Sequence, residues 1–182
     1  ISSACIYDLD GRGSSSTRNS SNYKLKNPTS EKWFTDSLNS NEFTSIFPNI
    51  NAKNIFEFTS QDSKQLIALT RKIINIKTRK VTGLVLITMS VDEIRKLLIK
   101  DNLPFNNQIV SVYDTNGKLI LTTSEESDIF IPSYDQLHNA APTPNIQYIN
   151  DNNVEYIVSY NTIPSTNWII VNSIPKSNAY RI

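Results

Sequence analysis

The feature that most constrains this chain is a near-repeat, found where an alternating apolar run twice meets a glycine turn. Ala4 to Thr17 reads ACIYDLDGRGSSST and Val110 to Thr123 reads VSVYDTNGKLILTT. Tyr7, Asp8, Gly11 and Thr17 match Tyr113, Asp114, Gly117 and Thr123 at one constant offset. Each copy predicts a strand, a tight turn at Asp10-Gly11 or Asn116-Gly117, and a second strand, because these dipeptides tolerate the positive φ of a two-residue hairpin turn. Two hairpins imply two modules.

The elements after each hairpin run in the same order. In the first module a polar stretch leads to a helix opening after Pro28, with Trp33, Phe34, Ser37 and Leu38 on one face. In the second, a helix is expected from about Ser133, where Ser133 and Gln136 have capping-box spacing, ending before Pro142. Strand pairs then follow: Ile55 to Thr59 with Gln65 to Lys77, and Ile146 to Ile149 with Val154 to Thr162. A last apolar strand closes each module, Gly83 to Met89 and Trp168 to Ile174. The expected fold class is therefore α+β, a β-β-α-β-β-β order used twice, each module a roughly five-stranded antiparallel sheet flanked by helices. Between them, Ser90 and Glu93 have capping-box spacing before Ile94, Leu97 and Leu98, a helix expected to pack on the first module. The boundary falls near residue 104, giving modules 1–104 and 105–182. Helices this short cannot cover both faces of such sheets, so a further helix is expected outside this chain or within its loops.

Composition narrows the function classes. A single cysteine, Cys5, cannot form a disulfide within one chain. A net charge of +1 gives no basic face for a nucleic-acid partner. Only four glycines are present, so Gly-rich phosphate loops are poor starting points. Charged residues make up 19%, and Asn, Ser and Thr take their place, which suits a domain outside the cytoplasm and equally an AT-rich genome. The longest apolar stretch, Val81 to Met89, is far short of the roughly 20 residues of a membrane span. With no initiator Met and no signal pattern, Ile1 reads as a cut end.

No catalytic set meets its geometric requirements. His138 is the only imidazole, near the end of a short polar helix, with Cys5 in the other module. One His and one Cys fall short of a zinc ligand set. The segment Asp8 to Gly13 lacks the ligand pattern of a calcium loop, and Gly11-x-Gly13 lacks the third glycine of a dinucleotide fingerprint. Lys77-Thr78-Arg79-Lys80 reads as a solvated turn rather than an anion site. Neither cofactor nor metal is expected. Arg71 alternates with Leu69 and Ile73, a pattern of burial that calls for a carboxylate such as Glu57 or Asp62, or for a ligand anion. Tyr23, Trp33, Phe34, Phe56 and Phe58 could line a small-molecule pocket or simply fill a core.

The YDxxG hairpins, the run GLVLITMS into a capped helix, and the ending YNTIPSTNWIIVNSIP resemble a double Cache domain, most closely the extracellular sensor of YesM-type bacterial histidine kinases. The resemblance spans essentially the whole chain. It implies two PAS-like modules between two membrane spans on the extracellular face of a bacterial membrane, with the ligand pocket in the membrane-distal module, and a homodimer in the full-length receptor. Members that bind amino acids carry an Arg three residues before a Trp-Tyr or Trp-Phe pair and an Asp in the closing strand of the distal module. Here the pair is Trp33-Phe34, the Arg position is Ser30 and the Asp position is Thr88. The implied ligand is thus neutral or sugar-like rather than an amino acid, or the partner is a binding protein. The expected pocket comprises Trp33, Phe34, Phe56, Phe58, Arg71 and Thr88. Rival readings are the input domain of a chemoreceptor or cyclic-dinucleotide enzyme, and a secreted adhesin or carbohydrate-binding module.

Overall fold

A computed structural model of the chain describes residues 3–17, 24–57, 64–102, 107–124, 130–133, 137 and 146–179. Two compact units result, Ile1–Glu93 and Ile94–Ile182, each built on a five-stranded antiparallel sheet.

Unit 1 contains β1 (Ser3–Asp8), β2 (Gly13–Thr17), β3 (Lys24–Leu25), α1 (Lys32–Asn39), β4 (Thr44–Asn51), a 3-10 turn (Ala52–Asn54), β5 (Phe56–Glu57), β6 (Gln65–Ile74) and β7 (Val81–Ser90). Its sheet runs β2-β1-β7-β6-β4, with β3 and β5 paired separately. Next come α2 (Val91–Asn102), β8 (Ile109–Tyr113), β9 (Leu119–Thr122), β10 (Ile146–Asp151), β11 (Val154–Ile163), β12 (Trp168–Pro175) and α3 (Lys176–Ala179). The second sheet runs β10-β11-β12-β8-β9. Read from the opposite edge, it repeats the first: a hairpin at one edge and the last strand in the centre.

The two hairpin loops share their geometry. The Asp8 amide donates to the Arg12 carbonyl at 2.9 Å and the Gly11 amide to the Asp8 carbonyl at 3.1 Å. Asp114, Lys118 and Gly117 repeat these bonds at 2.9 and 3.0 Å. Only the glycines, both at φ 77, take positive φ in these loops, so each is a three-residue connection rather than the expected two-residue turn. The preceding aspartate organises the loop. Asp114 Oδ1 accepts from the amides of Asn116 at 2.8 Å and Lys118 at 2.9 Å. Asp8 does the same with Asp10 and Arg12, and those amides, with the Arg12 guanidinium, hold its carboxyl below the usual range. Asp114→Ala is expected to lower the stability of unit 2 by about 1–2 kcal/mol, and Asp114→Asn, which keeps the acceptor, by much less; urea unfolding measures both. A true two-residue turn joins β10 to β11, where Asn152 and Asn153 have φ 48 and 64.

One face of the first sheet carries Cys5, Tyr7, Leu66, Ala68, Leu84 and Leu86, covered by Trp33 and Phe34 of α1 and by Ile55 and Phe56. The helix forms where expected, its Trp33, Phe34 and Ser37 buried. Other expectations are corrected. The strand that precedes β6 in the sheet is β4, not Ile55 to Thr59, of which Phe56 and Glu57 form the separate two-residue β5 and Phe58 and Thr59 lie outside the described residues. Pro48 disguises β4, since proline in a sheet is confined to edges and bulges, and β4 is an edge strand bulged between Phe47 and Ile50. Helical cover is sparser than "flanked by helices" suggests: among the described residues the helices span 8, 12 and 4 residues. The division at Glu93/Ile94 falls earlier than residue 104, leaving most of α2 with unit 2, where Arg95 Nε donates to the Thr122 carbonyl at 2.8 Å. Leu97, expected to pack, is 59% exposed. Most of the helix expected from Ser133 lies outside the described residues. Among the described residues no helix is long and apolar enough to cross a membrane.

Candidate functional site

The site in unit 1 begins with the turn that aims α1. Asn27 Oδ1 accepts from the Thr29 amide at 3.0 Å and its hydroxyl at 2.7 Å, reversing the chain before the helix. Glu31 stands at the N-cap without capping by its side chain. Its carboxylate instead accepts from Asn54 Nδ2 at 2.5 Å, tying the start of α1 to the 3-10 turn. Further along, the Ser37 hydroxyl lies 2.7 Å from both the Trp33 carbonyl and Thr70 Oγ1, which fastens the helix to β6.

Opposite α1, the β4 bulge places Pro48 and Asn49 side by side, Asn49 at φ 61. Asn51 then caps the 3-10 turn, its Oδ1 accepting from the Lys53 amide at 2.9 Å. Helix and bulge flank an open groove of about 390 Å³, a volume within the range of small-molecule sites. Trp33, Phe47, Pro48 and Ile50 supply its apolar lining, and Glu31, Lys32, Asp36, Asn49, Asn51 and Asn54 its polar lining. Lys32 Nζ is held by Asp36 at 2.8 Å. The lining thus holds two carboxylates and three amides, with Lys32 paired to Asp36 and Glu31 bonded to Asn54.

The expected pocket residues divide. Trp33 lines the groove. Phe34 and Phe56 lie deeper in the same core. Thr88 is buried on the same side of the sheet, its hydroxyl 2.7 Å from Ser3 Oγ. Arg71 is a correction: it is exposed, because the covered face of β6 carries Leu66, Ala68 and Thr70. Both faces of β6 are apolar, with Ile67, Leu69 and Ile73 half-buried on the Arg71 side, so alternation alone could not choose between them. Glu57, considered as its partner, pairs with Lys24 at 3.2 Å. Phe58, Tyr23, Asp62 and His138 lie outside the described residues. Lys77 and Thr78 donate their amides to Asn75 Oδ1 in an exposed turn. Among the described residues no three His, Cys, Asp or Glu side chains converge as metal ligands would.

Sequence reading missed the polar lining, because scattered Asn, Asp and Glu carry no periodic signal. It also missed Tyr7, 1% exposed, whose ring lies 5.9 Å from that of Trp33 and 6.1 Å from that of Phe34. Burial drives the Tyr7 phenol well above its ordinary pKa, with Cys5 adding to the effect. Burial pushes Tyr113 up to about 12. Both therefore stay protonated donors at neutral pH.

No protein-family model matches the chain, and no curated protein matches it. Solved structures do. The extracellular domain of a putative histidine kinase, rpHK1S-Z16, superposes with TM-score 0.67 at 12% identity, covering 98% of this chain and 72% of that one. The sensory domain of the Campylobacter jejuni chemoreceptor Tlp3 gives 0.67 at 12%, covering 96% and 67%. The ligand-binding domain of the Pseudomonas fluorescens chemoreceptor CtaA with L-alanine gives 0.65 at 14%, covering 98% and 74%. The fold is that of bacterial extracellular sensor domains. Neighbours solved with a ligand hold amino acids, L-alanine and L-arginine among them, which stands against the expected preference for a sugar.

Proposed function

We propose that this chain is the ligand-sensing input segment of a bacterial membrane receptor, of double Cache type, facing the outside of the cell. Unit 1 is the membrane-distal module and holds the ligand; unit 2 is the membrane-proximal module. The observation that carries this reading is the groove between α1 and the β4 bulge, aromatic on one side and polar on the other, in a fold shared with sensor domains. The resemblance to YesM-type sensors favours a histidine kinase as the output, acting as a homodimer, and chemoreceptor neighbours support that alternative equally.

The segment performs no chemistry. A ligand that binds one arrangement of α1 against β4 better than another shifts the population between them, by no more than its difference in affinity. With Lys32 engaged by Asp36, the carboxylate and amide oxygens of the lining suit a small ligand that brings hydrogen-bond donors, such as an amine. A thermal-shift screen with the standard L-amino acids, neutral monosaccharides and organic acids tests this. At a hundredfold excess over Kd a bound compound should stabilise by about 2.7 kcal/mol. Asn54→Ala should weaken that shift and Arg71→Ala should leave it intact. A shift indifferent to both Asn54→Ala and Asp36→Ala would place the binding elsewhere.

A further inference from the structure

The two hairpin loops share one backbone and differ in the side chain that precedes the glycine. Asp10 stands there in unit 1 and Asn116 in unit 2, and both glycines sit at φ 77. Asp10 is tied down, its Oδ2 accepting from the Arg12 guanidinium at 2.5 Å. Asn116 is exposed, and among the described residues its side-chain amide takes part in no hydrogen bond. What holds this residue is its main chain, whose N–H donates to Asp114 Oδ1 at 2.8 Å. An asparagine amide followed by glycine carries a latent reaction. The glycine has no side chain to obstruct ring closure, and nucleophile and electrophile on adjacent residues meet without the entropic cost of an encounter. Asn116-Gly117 is the one such pair in the sequence.

We propose that Asn116 is a self-modifying site, gated by the loop that Asp114 organises. In the reaction the Gly117 nitrogen bonds to Asn116 Cγ as the Cγ–Nδ2 bond breaks. The proton of the Gly117 amide passes through solvent to the departing nitrogen, which leaves as ammonia. Water then opens the succinimide, at one carbonyl to aspartate and at the other to isoaspartate, in which the main chain runs through the side-chain carbon. In the closed loop the nucleophile is withheld. The Gly117 N–H donates to the Asp114 carbonyl at 3.0 Å, and the amides on either side, of Asn116 and Lys118, are fixed on Asp114 Oδ1. Attack therefore needs the loop to open, and surface loops open locally far more often than a whole unit unfolds. The two products have different fates. Aspartate at this position reproduces what unit 1 carries as Asp10, so the loop keeps its form. Isoaspartate lengthens the main chain by one carbon inside a three-residue connection, so Gly117 and Lys118 lose their register with Asp114, and β9, an edge strand paired with β8, loosens with them.

The test holds the purified chain at mildly alkaline pH, where an amide nitrogen sheds its proton more readily, once folded and once in guanidinium chloride. Peptide mass mapping follows Asn116, and enzymatic methylation detects isoaspartate. The unfolded chain should convert Asn116 ahead of its other asparagines, and the folded chain at least about tenfold more slowly, the factor by which loop opening is rare. Asp114→Ala should speed the folded reaction toward the unfolded rate and leave the unfolded rate unchanged. Asp114→Asn, which keeps an acceptor, should stay slow. Val158→Ala, at a fully buried position of the second core, weakens unit 2 without touching the loop and should also stay slow while unit 2 remains folded. Aged chain carrying isoaspartate should melt about 5 °C lower in unit 2, and Asn116→Asp should melt with the wild type. Equal rates in folded and unfolded chain would show that the loop does not gate the site. Acceleration by Val158→Ala matching that by Asp114→Ala would put the gate in global unfolding, and either result overturns the proposal. An unfolded chain whose Asn116 outlasts its other asparagines removes the site altogether.

Discussion

Gly83→Ala is expected to destabilise unit 1 by about 3 kcal/mol, lowering its melting temperature by about 12–20 °C for a unit of this size, while the transition of unit 2 stays in place. Gly83 lies in β7 opposite Asp8 of β1 and Ile73 of β6. A Cβ there would sit 2.2 Å from the Tyr7 carbonyl oxygen and 3.4 Å from the Asp8 Cα. Those atoms are backbone, held in a central pairing, and cannot rotate away as a side-chain tip would. Differential scanning calorimetry should resolve two transitions with one displaced, since units that unfold separately do not share a single melting point. A loss below about 1 kcal/mol would mean that β1 and β7 approach less closely than the structure shows.

Phe34→Ala should cost unit 1 about 4 kcal/mol. The ring is 2% exposed and meets Trp33 edge-on at 5.6 Å and Tyr7 at 6.1 Å, so removal leaves a void beside both aromatic neighbours. Phe34→Leu, nearer in volume, should cost about 1.5 kcal/mol or less. Urea midpoints separate the two variants. Similar losses for both would show that the ring's shape is not what seats Trp33. The contrast matters for the candidate site: Phe34 supports the wall, Asn54 and Asp36 line the groove, and only changes of the second kind should alter ligand affinity while leaving stability nearly unchanged.

What could be read from the sequence followed how local the signal was. The hairpins announced themselves through Gly11 and Gly117, whose φ of 77 few other residues adopt. Helix α1 was visible in the spacing of Trp33, Phe34 and Ser37. Strand β4 was not, because Pro48 and Asn49 interrupt its alternation, and that interruption is the bulge that shapes the groove. Arg71 was assigned to the wrong face because period-two patterning says which residues share a side and not which side is covered. Tyr7 was noted only as a match to Tyr113. Its place beside Trp33 and Phe34 is a long-range contact, which no pattern of residue types records.

The central position of the last strand in each sheet has a consequence for biosynthesis. Strand β7 lies between β1 and β6, and β12 lies between β8 and β11. Until β7 leaves the ribosome, unit 1 consists of the β1–β2 hairpin and the β4–β6 pair, and two-stranded pieces of this kind are marginal in water. Unit 2 waits in the same way for β12, which ends at Pro175. Each sheet is therefore completed in one late step, with earlier strands exposing unpaired edges to chaperones or to aggregation in the interval. Ending the chain before Trp168 would split the second sheet into the β8–β9 and β10–β11 pairs rather than trim it.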